Sequence, residues 1–220
     1  MNNVPPNGNP DIFACVPTIL PPLPSPSLKD INILLASNSP RRRELLGMIL
    51  PAFDIATMKS VEESYPATLA PEKVPEYLSS LKASAYRDVL VPGELIITAD
   101  TVVIHNGKIL GKPADADDAR AMLASLCSAT HTVVTGVTLT SLEGKKTDTF
   151  STSTKVTFGP LADDEIAEYV DRYMPLEKAG SYGIQEWIGA AAIERIDGCF
   201  YNVMGLPLHD LFIHLKDFFA

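Results

Sequence analysis

The sequence predicts an α/β or α+β domain built on a mixed sheet, and three observations support this prediction. Strand signals and helix signals alternate along the chain from about Ile31 onwards, as in layered sheet-and-helix domains. Two pairs of consecutive strand signals predict hairpins, which a purely parallel doubly wound sheet does not contain. The chain has 220 residues, 46% of them apolar, which is enough for one domain with a substantial buried core.

The first elements are a strand and a helix joined by a short polar turn. The apolar run Ile31–Ala36 predicts a buried strand. Ser39 and Pro40 follow it as a helix N-cap and a first-turn proline, and the helix is predicted to extend to about Met48. A second, short strand is expected over residues 53–57.

The middle of the chain predicts a helix, a hairpin and another helix. Apolar residues at helical spacing indicate a helix over residues 72–89. The run Leu95–Leu110 predicts a hairpin that turns at Asn106-Gly107, a pair typical of type I′ turns. Asp115 and its acidic neighbours mark the start of the next helix, where negative charge meets the positive end of the helix dipole.

The last third predicts a second hairpin over residues 131–142 and 147–158, turning at Glu143-Gly144. A helix is expected at Asp163–Tyr173, followed by a glycine-bearing segment. A strand pair about Asp197-Gly198 and a final helix from Leu206 complete the pattern.

Composition and charge exclude several function classes. Eighteen basic and 27 acidic residues give a formal charge of −9, which argues against a general nucleic-acid binder, whose phosphate contacts need a basic face. No apolar run approaches the ~18–20 residues of a membrane-spanning helix. Three widely spaced cysteines, and no basic residue before Lys29, predict a cytoplasmic protein without a disulfide framework or secretion signal.

Residues 1–30 are predicted to be an extended, mostly disordered tail. They contain eight of the 18 prolines, which lack the backbone donors that helices and sheets need. We therefore expect the folded domain to comprise residues 31–220.

The clearest candidate for a binding site is the segment Ser37–Arg43, with the sequence SNSPRRR. It joins a buried strand to a capped helix, so free N–H groups of the first helical turn point towards the edge of the sheet. The arginines on that turn oppose the helix dipole unless a bound anion offsets them. Guanidinium groups match phosphate oxygens two at a time, and the segment therefore predicts a phosphate site. A solvated basic turn is the alternative.

Three further side chains are candidates for chemistry. Asp100 interrupts the apolar run Leu95–Ile104, where a buried carboxylate is costly unless it is paired or binds a metal. It is therefore predicted to be a metal ligand or a general base. Lys82 lies at the edge of the inward face of its helix, and Lys112 follows a strand. Taken alone, both positions are equally typical of lysines without a chemical role, whose aliphatic stems lie on the protein while their ammonium groups stay in solvent.

Four segments, in this order, resemble the signature of the Maf family of nucleoside triphosphate pyrophosphatases: Ala36–Leu46, Thr98–Val103, Glu177–Gln185 and Tyr201–Leu208. The resemblance covers the chain from about Ile33 to its C-terminus. It implies a single Maf/ITPase-like domain, with an elongated mixed β-sheet flanked by helices. It also implies a homodimer, a divalent metal cation (Mg²⁺ or Mn²⁺), and hydrolysis of a nucleoside triphosphate to the monophosphate and pyrophosphate.

The resemblance also implies roles for individual residues. Asp100 looks like the family's proton acceptor, with Lys82 as a second catalytic residue, and Glu63 and Asp100 fall where the family places metal contacts. The positions implied to contact phosphate are Ser37, Arg41, Arg42 and Lys112. The positions implied to set specificity are Arg41, Thr101 and Gln185, and they look like the dTTP/UTP branch. The Gln185 amide has one acceptor and two donors, which suits the edge of uracil or thymine.

Several alternatives stay open at this stage. The same chemistry could act on 7-methyl-GTP or on modified pyrimidine triphosphates rather than on dTTP and UTP in a housecleaning role. A non-enzymatic nucleotide-binding regulator of septum formation would need the anion pocket but no catalytic carboxylate. Asp100 is a base, a metal ligand or both. Glu186 departs from the glycine common in the family and is expected to add negative charge near the base pocket.

Overall fold

The computed structural model describes Leu28, residues 30–142 and residues 146–219. Most of the predicted tail and the predicted turn at Glu143-Gly144 lie outside the described residues. Within the described part of the chain, seven strands form one mixed sheet with helices packed against it, which confirms the predicted fold class. Among those residues, no helix combines the length and apolar character needed to cross a membrane.

The sheet combines parallel and antiparallel pairs. Its strands are β1 (Asn32–Leu35), β2 (Asp54–Ile55), β3 (Glu94–His105), β4 (Lys108–Leu110), β5 (Thr130–Ser141), β6 (Thr147–Phe158) and β7 (Ile193–Asp197). They are arranged in the order β2-β1-β3-β5-β6-β7, and β4 pairs with the far end of β3. β1 runs parallel to β2 and β3, whereas the other pairs are antiparallel.

The helices cover both faces of this sheet. They are α1 (Pro40–Gly47), α2 (Val74–Ser84), α3 (Ala116–Leu126), α4 (Asp163–Tyr173), α5 (Trp187–Ala192), α6 (Phe200–Met204) and α7 (Leu208–Phe218). Successive residues of β3 point to opposite faces, as the pleat requires. Leu95 and Ile97 pack with α1 and α7, whereas Val102 and Ile104 pack with α2. The central strand therefore presents one side chain to each layer in turn.

Most predicted elements are present, and one is wrong. Asn106 and Gly107 both have positive φ in the β3–β4 turn, and Asp115 caps α3 with its side chain. The strand pair about Asp197-Gly198 does not form, because α6 follows β7 instead of a second strand. The amide of Asn202 in α6 donates hydrogen bonds to the carbonyl of Val133 and to Thr154, which holds this segment against the sheet as a helix.

The middle of β3 is open on one side, and this opening creates the site. β1 pairs with β3 only as far as Leu35 and Ile97, and β4 begins its pairing at Leu110 and Val103. Residues 98–102 of β3 therefore have no strand neighbour on that side among the described residues, although β5 pairs with them on the other side. Backbone groups and side chains from the centre of the sheet are thus accessible in a gap between two strands.

Helix α2 lies unusually close to the sheet beneath this gap. A Cβ atom placed on Gly136 of β5 would lie 2.3 Å from the carbonyl carbon of Pro75, so only glycine allows this approach. One turn later, the carbonyl of Ser79 accepts a hydrogen bond of 2.8 Å from the hydroxyl of Thr98. These contacts fix the part of the helix that carries Lys82.

Candidate active site

A cavity of about 810 Å³ occupies the gap beside β3. This volume lies within the ~300–1,000 Å³ typical of sites for small organic ligands. The wall includes all the residues from Ala36 to Arg42, the β3 residues Asp100–Val103, and Lys178, Tyr182 and Gly205 from the later loops. The four sequence segments that carry the family resemblance therefore meet around one cavity.

The side chain of Asp100 is a buried carboxylate in the wall of this cavity. Lys82 Nζ lies 2.6 Å from Asp100 Oδ1 and 3.1 Å from Glu63 Oε1, so one ammonium contacts two carboxylates. Burial raises the pKa of Asp100 above its ordinary value, and this effect is larger than the opposing attraction of Lys82 and Arg42. A carboxylate with a raised pKa is a better proton acceptor than an ordinary one.

Arg42 holds the open edge of β3 in place. Its Nε donates to the carbonyl of Gly205 (2.9 Å), its Nη1 to the carbonyl of Ala99 (2.9 Å) and its Nη2 to Thr101 Oγ1 (3.0 Å). The guanidinium therefore lies where a longer β1 would have continued the ladder, and it satisfies a carbonyl that the gap leaves open. Three of the five N–H donors of an arginine are used in this way, so a direct phosphate contact by Arg42 stays a prediction.

The hydroxyl of Thr101 is hydrogen-bonded to the hydroxyl of Thr135, which lies opposite it on the neighbouring strand β5. Thr135 donates its single hydroxyl hydrogen to the carbonyl of Asn202 at 3.1 Å. The hydrogen bond of 2.9 Å between Thr101 and Thr135 must then be donated by Thr101. Because its hydrogen is used here, Thr101 can only accept a hydrogen bond from a ligand, which limits its predicted part in specificity.

The other predicted phosphate contacts lie around the same cavity. Ser37 is buried, and its Oγ accepts a hydrogen bond of 3.2 Å from the backbone N–H of Ser39. Arg41 lines the cavity at the start of α1, and Lys112 lines it at the end of β4. Lys112 is exposed and forms an ion pair of 3.0 Å with Glu177 at the rim.

Gln185 and Glu186 do not have the surroundings that the sequence suggested. Gln185 is exposed and outside the cavity wall, so its contact with a base stays a prediction. Glu186 accepts a hydrogen bond of 2.5 Å from the hydroxyl of Tyr169, and it forms an ion pair of 2.9 Å with Lys178. Its negative charge is therefore compensated and not free beside the cavity.

Several residues at the site had no assigned role in the sequence analysis. Lys178 and Asn202 lie within segments that carried the family resemblance, but neither has a local pattern that predicts a contact. Tyr182 lines the cavity, and its hydroxyl lies 2.7 Å from Nε2 of His131. Thr135 became visible only through its hydroxyl contact with Thr101.

Comparison with known protein families shows which family has this arrangement. The family described as "Maf-like protein" matches residues 32–218, which is nearly all of the described chain. The chain belongs to the Maf family.

Curated relatives match this Maf protein over most of their length. A protein from Porphyromonas gingivalis (strain ATCC 33277) is 53% identical over 87% of this chain and 96% of its own. A protein from Bacteroides thetaiotaomicron is 49% identical over 86% of this chain and 97% of its own. Both relatives are named dTTP/UTP pyrophosphatase. A solved nucleoside-triphosphatase / dITP/XTP pyrophosphatase from Mycobacterium abscessus is 16% identical, with a TM-score of 0.37, over 60% of this chain and 76% of that chain.

The carboxylates of this Maf protein fit a metal ion that is shared with a substrate. Mg²⁺ prefers oxygen ligands, and it is usually held by one or two carboxylates together with substrate phosphates. Glu63 and Asp100 provide such a pair, because both contact the same cation, the ammonium of Lys82. Among the described residues there is no cluster of three or more acidic, histidine or cysteine ligands. A metal ion held by this pair would take its remaining oxygen ligands from water or from a substrate.

Proposed function

We propose that this Maf protein hydrolyses dTTP and UTP to the nucleoside monophosphate and pyrophosphate. The observation that carries the proposal is that Asp100, a buried carboxylate with a raised pKa, lies in the same cavity wall as Arg41 and the first turn of α1. The names of the relatives, which are about half identical to this chain, support the choice of substrates.

The cavity supplies positive charge where a triphosphate needs it. Arg41 lies at the start of α1, whose N-terminal N–H groups favour an anion. Lys112 lies at the rim, and Lys82 contacts the two carboxylates Glu63 and Asp100 in the cavity wall. We assign Arg41, Lys112 and Ser37 to the phosphates. Positioned cations of this kind stabilise the charge that develops on the leaving phosphate group.

The proposed reaction is attack of a water molecule on the α-phosphorus. Asp100 accepts a proton from this water, the new P–O bond forms, and the bond from the α-phosphorus to the bridging oxygen breaks, so that pyrophosphate leaves. Asp100 Oδ1 is hydrogen-bonded to Lys82. Since no hydrogen bond to Oδ2 is found among the described residues, we assign the proton to Oδ2. Before the triphosphate binds, the ion pair with Lys82 keeps the carboxylate oriented towards the cavity.

We propose that Glu63 and Asp100 hold Mg²⁺ or Mn²⁺ when the triphosphate is bound. A bound divalent ion neutralises phosphate charge and lowers the pKa of a coordinated water. The protein's own contribution is to orient the two carboxylates. Asp100 is fixed by its place in the central strand, and Glu63 is more than half exposed and free to adjust.

The direct test is a panel of triphosphates assayed for both products. With Mg²⁺ present, we expect the largest kcat/KM for UTP and dTTP, with one pyrophosphate released for each monophosphate. Release of orthophosphate, or a preference for 7-methyl-GTP or a purine triphosphate, would contradict the proposal. Tight binding of UTP without turnover would instead favour the nucleotide-binding regulator.

Base selection is assigned to Gln185 together with Arg41 and Thr101. Gln185 is exposed in this structure, so contact with a base requires the loop that carries it to close on the ligand. We expect Gln185→Ala to lower the ratio of kcat/KM for UTP to that for 7-methyl-GTP, because an amide matched to uracil discriminates against other edges. An unchanged ratio would remove Gln185 from the specificity residues.

We further propose a single domain over residues 31–220 that acts as a homodimer in the cytoplasm and has a housecleaning role in nucleotide pools. Light scattering after gel filtration tests the dimer, because its mass must be twice that of the 23.8 kDa chain.

A further inference from the structure

The contacts of Lys82 set a condition on metal binding. Its ammonium lies between Asp100 Oδ1 and Glu63 Oε1, at 2.6 and 3.1 Å. The side chains of Lys82 and Asp100 are only 16% and 12% exposed, so solvent screens this contact weakly. The ammonium thus occupies the place between the two carboxylates where a divalent ion is expected.

An ammonium and a divalent ion cannot share this place. Mg²⁺ binds carboxylate oxygens at about 2.0–2.1 Å, and Asp100 Oδ1 already accepts a short hydrogen bond from Lys82 on the side that faces Glu63. Two cations a few ångströms apart repel each other, and solvent screens this repulsion least beside the buried Asp100. A metal ion that takes the place between the two carboxylates alone must therefore displace Lys82, and the ammonium then loses both of its described ion-pair partners.

A triphosphate changes this balance. Its oxygens offer the ammonium a new anionic partner, and they also offer ligands to the metal. The backbone of α2 need not move for this exchange, because Ser79 and the contact at Gly136 hold the helix against the sheet. The long, flexible side chain of lysine can swing between partners on its own.

We propose that Lys82 acts as a resident counter-cation that keeps Glu63 and Asp100 from binding a divalent ion until a triphosphate arrives. Metal and nucleotide then bind together, and neither occupies the site productively alone. The inference deepens the proposed function and rests on it for the identity of the triphosphate. The competition between Lys82 and the metal rests on the contacts alone.

The test is titration of Mn²⁺ into the full-length protein without nucleotide, with free Mn²⁺ followed by electron paramagnetic resonance. Wild-type protein is expected to bind weakly, and Lys82→Met to bind at least about tenfold more tightly, a ratio that corresponds to about 1.4 kcal/mol. Lys112→Met is the matched control, because it removes a lysine of the cavity wall whose partner is Glu177 rather than either proposed metal ligand. It should bind Mn²⁺ as the wild type does.

Two further variants locate the gain. The double variant Lys82→Met with Asp100→Asn should lose the tighter binding, whereas Lys82→Arg, which keeps a cation, should remain as weak as the wild type. Unchanged Mn²⁺ affinity in a folded Lys82→Met or Lys82→Gln protein would overturn the inference. If neither Lys82→Met nor Lys82→Gln folds, Mn²⁺ binding by the wild type is compared with that of Glu63→Gln instead. A tight Mn²⁺ site without nucleotide that Glu63→Gln abolishes would overturn the inference, and weak binding that Glu63→Gln leaves unchanged would support it.

The outcomes separate this inference from the proposed function. Tighter Mn²⁺ binding by Lys82→Met, in a protein whose wild type does not turn over UTP, would uphold the inference and reject the proposed activity. Turnover of UTP by the wild type, with no change in Mn²⁺ binding in Lys82→Met, would uphold the proposed activity and reject the inference.

Discussion

Adjacent arginines at the start of α1 have different surroundings, although the sequence presents them as one basic cluster. Arg42 is half-buried and donates to Gly205, Ala99 and Thr101, so it joins α1, β3 and the segment after α6. Arg41 lines the cavity. The run of arginines and its helix start were readable from the sequence. Which arginine is turned inwards was not, because that depends on the gap in a sheet whose pairing is long-range.

Substitution at these two positions should therefore affect stability differently. Arg42→Met leaves two buried carbonyls and a hydroxyl without their donor, and we expect it to lower the free energy of unfolding by about 2–4 kcal/mol. Arg41→Met should change it by no more than about 0.5 kcal/mol. Urea denaturation of both variants measures this. Equal losses would show that Arg42 is not the clamp described above.

Among the elements, local signals predicted most helices and hairpins but failed where a distant contact decides. The β3–β4 turn has a pair of residues suited to positive φ, and α4 has the predicted bounds. The segment after Gly198 was expected to be a strand, but Asn202 binds Val133 and Thr154 from a helix. The approach of α2 to Gly136 was likewise not predictable, because these residues meet only in the folded sheet.

The close approach of α2 gives a test of how this element places Lys82. Gly136→Ala puts a Cβ 2.3 Å from the carbonyl carbon of Pro75, so the helix must move away from the sheet. We expect a loss of about 1–3 kcal/mol in stability, together with a lower kcat, because Lys82 moves with the helix.

Gly47→Ala is the matched control. A Cβ at Gly47 meets only Phe53, at 4.0 Å, and alanine favours a helix over glycine. Its stability should be unchanged or raised. A similar loss in both variants would mean that the contact at Gly136 is not special.

At the scale of the whole molecule, the site results from where β1 and β4 stop pairing with β3. β1 pairs with β3 only as far as Ile97, and β4 pairs with it only from Val103 onwards, so β3 is left open at Asp100 and Thr101 between them. Alternation then places Asp100 towards Lys82 of α2 and Thr101 towards Arg42 of α1. The sequence identified the segments that meet here through a family resemblance. It could not place Gln185 outside the cavity or pair Glu186 with Lys178.

Global stability should carry the signature of one buried histidine. Burial lowers the pKa of His131 from 6.5 to about 4, so between these values the unfolded chain binds a proton that the folded chain does not. The contribution to stability is complete above about pH 6.5. It is lost as the pH falls towards 4, by about 3 kcal/mol in all.

Urea denaturation between pH 7 and pH 4 measures this effect by difference. His131→Gln keeps a polar partner for Tyr182 and does not titrate, so its stability should fall less than that of the wild type over this range. His209→Gln, at an exposed position, should follow the wild type. Parallel curves for all three proteins would refute the assignment to His131.

The proposed mechanism depends most on Asp100 as the group that takes a proton from the attacking water. The measurement that tests this directly is pyrophosphate release from UTP by Asp100→Asn and wild-type protein, at saturating Mg²⁺ and UTP, with folding of both checked by cooperative unfolding. We expect kcat to fall by about 10²–10⁴-fold in the folded variant, because the water then lacks its proton acceptor. Turnover close to that of the wild type would contradict it.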